Sequence, residues 1–245
     1  MDSSLTRLAS DPRFIPLVYN YCDMWCGRCR LTGRCLLFAA EATSGRQRDS
    51  RGDVAASVVG GLETARALLE MAVPGTEAIA AINVKLADPD APPERCALGH
   101  PLEFLARHYA IQAGSYLHSL QGRIAEGWPE DSPLEVVSWL HILIAAKTYR
   151  SLVSAHGAAE APELLFDALG SAKLVLVAID RSLTAWQAIA AVDTDARVSG
   201  LIELLEALRT GVEIRFPEAR AFVRPGLDEE DDPAPAPGDV RGAGF

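Results

Sequence analysis

The chain lacks any long hydrophobic run. Its longest uncharged apolar runs, such as residues 174–179, are far too short to span a bilayer. Aromatic residues are also few, at 7% of 245 residues, although apolar residues of all kinds reach 49%. That composition is typical of a globular protein long enough to bury a core. The N-terminal residues contain no apolar stretch suited to a secretory signal, so we expect a cytoplasmic protein with reduced thiols.

Positive charge is scarce. The formal net charge is −10, which argues against broad nucleic-acid binding because such binding needs a basic surface. The charge is uneven, since residues 1–52 carry +3 and the remainder −13. Six arginines lie in or just after the cysteine motif described below: Arg28, Arg30, Arg34, Arg46, Arg48 and Arg51. They indicate either a solvated basic loop or a site for a small anionic ligand or a protein partner.

Alternating apolar and polar residues, the pattern of β-strands, are missing as well, and the apolar spacing is helical. Helices are predicted at 53–73, 75–87, 101–128, 132–156, 161–191 and 193–211. We therefore predict an all-α protein, with a bundle of about four long helices and a cysteine-rich segment docked on it. The predicted divisions are a metal-binding segment (1–41), the bundle (53–224) and a disordered, acidic, proline-rich tail (225–245).

Local signals mark several helix boundaries and faces. Ser132 and Glu135 form a capping box with Pro133 at the first helical position, and Asp193 or Thr194 is expected to cap the last helix. In the 101–128 helix, the spacing predicts an apolar face and an opposite polar face that includes Glu103, Arg107 and His108.

Four of the five cysteines fall within 14 residues, in the pattern C-x3-C-x2-C-x5-C. They are Cys22, Cys26, Cys29 and Cys35. Clustered thiols in a reducing compartment favour metal or redox chemistry over disulfides. A continuous helix would separate Cys22 from Cys29 by about 10.5 Å along its axis, whereas two sulfurs on one zinc lie within about 4.6 Å. The backbone must therefore turn, and Gly27 and Gly33 are the expected positions.

The spacing of the cysteines bears on the metal. Structural zinc sites usually use two cysteine pairs separated by a longer loop, whereas this motif has one C-x2-C pair flanked by single cysteines. A compact motif of that kind favours an iron–sulfur cluster of the four-iron type, with a redox, sensing or accessory role. The alternative is zinc, which would stabilise a helical interaction module without catalysis.

The last three cysteines resemble the end of the cluster loop in the endonuclease III family of DNA glycosylases, where the first interval is six residues rather than three. The resemblance implies a four-iron cluster with a structural or redox-sensing role. Lys173 and Asp193 lie in sequences similar to those around that family's lysine and aspartate. The order of these motifs differs from the family's, however, and the acidic charge argues against a glycosylase.

Longer segments carry a second resemblance. The sequences YNYCDMWCGRC, GSAKLVLVAIDRSLTAW and FPEARAFVRPGLDE resemble an uncharacterised bacterial helical family with a YCDxWCxRC motif. This resemblance extends over most of the chain and implies no function.

A third hypothesis is an enzyme with a polar site between the two central helices. Lys147 and Arg150 lie among apolar residues, and buried charges are costly unless they are paired. Lys173 and Asp180 belong to a polar stripe on the next helix, and the four side chains are candidate catalytic residues. Amphipathicity favours a stripe that faces water instead. Cys96 and His100 are spaced as a possible additional ligand pair, or as an ordinary surface pair.

Overall fold

The computed structural model describes residues 11–43, 99–121 and 131–228. Within these ranges the regular elements are helices, and no strand is present. A short helix comes first, followed by four long ones: α1 Leu36–Thr43, α2 Pro101–Gln121, α3 Pro133–Gly157, α4 Leu164–Ala190 and α5 Ala196–Arg215. The all-α prediction is confirmed. The helices predicted at 53–73 and 75–87 lie outside the described residues.

The four long helices form a closed ring, in which α2 and α4 each pack against both α3 and α5. Apolar side chains at helical spacing fill its centre. The largest fully buried side chains of the bundle are Tyr109, Tyr116, Leu140, Ile144, Leu174, Leu176, Ile179, Trp186, Leu201 and Leu205. The predicted bundle is therefore confirmed. None of the described helices combines the length and the apolar character that crossing a membrane requires.

The start of α3 follows its sequence signal. The Ser132 hydroxyl accepts a hydrogen bond from the Glu135 backbone N–H at 3.2 Å, and Pro133 opens the helix. The Glu135 carboxylate accepts from the Asp131 backbone N–H at 2.8 Å, one residue before the cap. The bond of the predicted capping box from the Glu135 backbone N–H to the Ser132 hydroxyl is therefore confirmed.

Two local predictions were wrong. The cap of α5 is Asp195, whose carboxylate accepts from the Arg197 backbone N–H, while Asp193 accepts a hydrogen bond at 2.7 Å from the Tyr116 hydroxyl. Glu103 is buried at 6% exposure rather than solvated, and one of its carboxylate oxygens pairs with Arg107 one turn along α2. For Asp193, a partner far away in sequence decided the position of the side chain.

A second, smaller core lies beside the bundle and holds the cysteine segment, which we define as residues 14–40. Its buried members are Val18, Tyr19, Met24, Leu31, Cys35, Leu37 and Ala40. Leu227 packs on this core, and Gly226 adopts a φ of 69° where an added Cβ would lie 2.4 Å from the Ile15 side chain. Residues 225–228, assigned by sequence to the tail, thus pack on the cysteine segment. The rest of the predicted tail lies outside the described residues.

Candidate metal centre

Three single 3-10 turns, rather than a continuous helix, carry the four cysteines. Cys22 follows the turn Val18–Asn20, Cys26 opens the turn Cys26–Arg28, and Cys29 ends that turn with a backbone hydrogen bond to the Cys26 carbonyl at 3.2 Å. Cys35 follows the turn Thr32–Arg34 and immediately precedes α1. Breaking the helix in this way removes the axial separation that a continuous helix would impose on the thiols.

The chain turns at both glycines, as expected. Gly27 and Gly33 are the central residues of 3-10 turns, although neither has a positive φ. The left-handed residue is instead Met24, whose φ of 57° is uncommon for a residue with a side chain. Burial of the Met24 side chain in the small core holds it there.

All four thiols line one small pocket, with a volume of about 20 Å³. Its walls are mainly apolar, and they include Val18, Leu31, Phe38 and Leu227. None of the four cysteines forms a disulfide. Across the described residues, however, no three or more His, Cys, Asp or Glu side chains stand in an arrangement that would hold a metal ion. The four cysteines therefore share a cavity without forming a coordination shell.

Two of the thiols in this pocket make hydrogen bonds, Cys22 as a donor and Cys29 as an acceptor. The Cys22 thiol donates to the Tyr19 carbonyl oxygen at 3.6 Å, and the Leu31 backbone N–H donates to the Cys29 sulfur at 3.4 Å. Burial raises the pKa of the Cys22 thiol to about 12, and Asp23 and Cys35 act in the same direction. Any metal ion bound by Cys22 would have to displace this proton, because the thiolate is the ligand.

A buried lysine lies close enough to Cys22 for the two side chains to affect each other's pKa. The Lys147 ammonium reaches from α3 and donates to the Asn20 carbonyl oxygen at 2.7 Å. Burial lowers the pKa of Lys147 to about 7, Arg150 lowers it further, and the neighbouring Cys22 and Asp167 oppose the shift. The Asn20 side-chain amide nitrogen is also buried, and it has no acceptor among the described residues. A set of thiolates would supply the negative charge and the acceptors that these groups lack.

Arg150 has a separate explanation. Its guanidinium makes two hydrogen bonds with Asp167, at 2.6 and 3.0 Å, and the Ser154 hydroxyl donates to the same carboxylate at 2.6 Å. Burial works to raise the pKa of Asp167, but the Arg150 charge and the hydrogen bonds outweigh it and hold the pKa below its usual range. The pair joins α3 to α4 as a structural ion pair.

Aromatic and charged side chains fasten the cysteine segment to the bundle. Trp25 stacks on Trp139 with ring centroids 5.2 Å apart, and the Trp139 indole N–H donates to the Asp23 carbonyl oxygen at 2.8 Å. Arg28 lies over the Trp25 ring and pairs with Glu135 at the start of α3. The cysteine segment is thus docked on the bundle, as predicted. Arg28, one of the six arginines considered for an anionic ligand, pairs instead with a carboxylate of the chain.

The proposed enzyme site is not assembled by direct contacts. Lys147 and Arg150 contact Asn20 and Asp167, whereas Lys173 donates to the Arg220 carbonyl oxygen at 2.6 Å. Asp180 pairs with Arg220, and both side chains are 42% exposed, so the stripe lies towards the outside of α4. His100 accepts a hydrogen bond from the Leu102 backbone N–H at the start of α2. Its suggested partner Cys96 lies outside the described residues.

Sequence reasoning missed the residues that seat the cysteine segment. Trp139, Asp23 and Arg181 belong to this group, with Arg181 pairing to Asp23 at 2.6 Å. The available signals were a tryptophan on the motif, Trp25, and a second one on the apolar helix α3. Neither tryptophan by itself indicates which residue its ring contacts. Comparison of the chain with protein-family models, curated proteins and solved structures finds no match.

Proposed function

We propose that Cys22, Cys26, Cys29 and Cys35 hold an iron–sulfur cluster with a redox, sensing or accessory role. The observation that carries this proposal is that all four thiols of the motif line one pocket. Three of them belong to the buried apolar core of the segment or pack against it, which shields a cluster from hydrolysis and lowers the local dielectric.

The surroundings support thiolate ligands. Lys147 supplies a buried ammonium that acts electrostatically on Cys22 and favours its thiolate. Hydrogen bonds and cationic charge near the sulfurs are the features by which proteins tune metal–thiolate centres. A reduced thiol set also requires a reducing compartment, for which we propose the cytoplasm.

The exposure of the segment suggests how a partner reaches the centre. Cys26 and Cys29 are half-buried, and Gly27 and Arg28 between them are exposed. One edge of the pocket therefore faces outward, while Cys35 is buried on the other side. An exposed edge would allow electron exchange with a partner protein. It would also allow a partner protein to recognise a change in the state of the cluster.

Zinc is the second candidate, and the size of the pocket favours it. A volume of about 20 Å³ is close to the space of one water molecule, and therefore suits a single ion better than a four-iron body. In this case zinc would clamp the segment onto the bundle, and the protein would act as a non-catalytic interaction module.

Metal analysis of protein purified without oxygen separates the two candidates. An iron–sulfur protein is brown, absorbs broadly in the visible range and contains iron and sulfide, whereas the zinc form is colourless with about one zinc per chain. We expect Cys26→Ser and Cys29→Ser to lose most of the metal. Cys96→Ser is the matched control, because this cysteine lies outside the motif, and it should retain the metal. A protein that binds neither metal, or that loses it equally in the control, would refute the proposal.

A further inference from the structure

A second cavity, of about 130 Å³, adjoins the cysteine pocket. Cys22, Asp23 and Leu227 line both spaces, so the two share a wall. The remaining lining residues come from α3, from α4 and from the C-terminal segment: Leu140, Leu174, Val177, Ala178, Arg181 and Arg224. Parts of the chain that are far apart in sequence thus enclose this cavity.

The floor of the cavity is apolar, and its rim is charged. Residues 174, 178 and 181 recur at helical spacing on one face of α4, which places two apolar side chains below one guanidinium. Among the lining residues there are two guanidinium groups and one carboxylate, and each guanidinium also pairs with a carboxylate of the chain. An apolar cavity with a few convergent polar groups is typical of a small-molecule site.

The guanidinium of Arg181 retains capacity for a ligand. Only its Nη1 atom pairs with Asp23, at 2.6 Å, and a guanidinium has five N–H donors in all. Arg224 donates through Nε and Nη2 to the Asp228 carboxylate, which does not line the cavity, and through Nη1 to the Tyr21 carbonyl oxygen at 3.5 Å. Arg181 is therefore the guanidinium that would bind a ligand directly. A planar carboxylate matches the two-donor geometry that arginine offers.

We propose that this cavity binds a short-chain carboxylate, with the carboxylate on Arg181 and the alkyl chain on the α4 floor. A cavity of about 150 Å³ holds a molecule such as benzene, so about six heavy atoms fit here. The site stands on its own contacts, independent of the metal. Because Cys22 lines both spaces, an occupant would also touch the wall of the proposed metal centre.

The test uses butyrate and its neutral isostere butyramide, each with six heavy atoms, on the full chain by isothermal titration calorimetry. We expect butyrate to bind at least about tenfold more tightly than butyramide, since a hydrogen bond to a charged group contributes about that factor. Arg181→Gln should abolish this difference. Arg209→Gln is the matched control, because Arg209 has similar exposure and pairs with Asp180 instead, and it should keep the difference.

A cavity-filling variant tests the same site without removing charge. Ala178→Leu should abolish binding of butyrate while circular dichroism shows the helical fold intact. Absence of butyrate binding by the wild-type chain would overturn the proposal, as would equal binding of butyramide or an equal loss in Arg209→Gln. Binding of inorganic phosphate in place of butyrate would overturn the carboxylate class. Metal content measured on the same samples keeps failure of this site distinct from failure of the metal centre.

Discussion

A buried ammonium is costly unless negative charge or several acceptors surround it. Lys147 has the Asn20 carbonyl oxygen as its described acceptor, and burial lowers its pKa. Arg150, one turn along the same helix, has a full carboxylate partner in Asp167. The difference between the two indicates that Arg150 serves the fold. For Lys147, we propose a role in the cysteine site, because it acts electrostatically on Cys22.

Replacing Lys147 by Met tests that role. The change keeps the approximate length of the side chain and removes its charge, so we expect metal affinity to fall by about 10- to 100-fold, as for other groups next to metal ligands. The metal-free protein should lose no more than about 1–3 kcal/mol, the effect of one unpaired carbonyl. Competitive chelator titration and urea unfolding measure the two quantities.

Lys173→Met is the matched control for this prediction. Its ammonium also donates to a backbone carbonyl oxygen, that of Arg220, but it is not among the groups that shift the pKa of Cys22, and it does not line the cysteine pocket. Its metal affinity should equal that of the wild type. Equal losses in the two lysine variants would show that Lys147 has only a general structural effect.

At the scale of the elements, α4 packs closely on the cysteine segment at Gly170, where the absence of a side chain leaves room for Tyr21. Tyr21 is fully buried, and a Cβ added to Gly170 would lie 2.5 Å from its ring. Phe166 and Phe222 meet the same ring edge to face, at centroid distances of 5.7 and 5.6 Å. The glycine weakens the helix locally, and the close packing of Tyr21 explains why it is there.

This arrangement predicts opposite effects of the same substitution at two helical glycines. Gly200→Ala, where the added Cβ meets nothing within 4 Å, should stabilise the protein by about 0.5–1 kcal/mol through helix propensity. Gly170→Ala should instead destabilise it by about 1–3 kcal/mol, because the Tyr21 ring must move. Urea unfolding of both variants checks the prediction. A stabilised Gly170→Ala protein would contradict the packing described.

Prediction from sequence succeeded at this scale wherever the signal was local. The periodicity of residues 101–121 and the Ser132 cap depend only on neighbours within one or two turns, and both are borne out. The cap of α5 is Asp195 and not Asp193, because the Asp193 carboxylate accepts a hydrogen bond from the Tyr116 hydroxyl, 77 positions away. The left-handed residue Met24 was missed because no local pattern requires a methionine to adopt that conformation.

For the whole molecule, the two ends of the described chain meet over the cysteine pocket. Leu227 lines that pocket, Arg224 contacts the Tyr21 carbonyl oxygen, and Arg30 donates to the Leu227 carbonyl oxygen at 3.4 Å. The C-terminal segment therefore forms part of the site, although its sequence is proline-rich and acidic.

Two truncations separate this contribution from that of the remaining tail. A chain ending at residue 222 loses Arg224 and Leu227, so we expect about tenfold weaker metal binding or more, and faster proteolysis of the cysteine segment. A chain ending at residue 228 keeps every contact named above, and should match the full chain. Chelator titration and limited proteolysis measure both effects. Equal behaviour of the two truncated proteins would show that the segment does not support the site.

By itself, the sequence determined the helical class, the boundaries of α3 and the presence of a dense thiol motif, because each depends on residues within a few turns of one another. The tertiary structure alone decided what surrounds the thiols. Lys147 and Asn20 are 127 positions apart, and Arg181 and Asp23 are 158 apart. Such partners meet only after the bundle has formed, since the packing of its helices, and not any local pattern, sets which side chains face the cysteine segment.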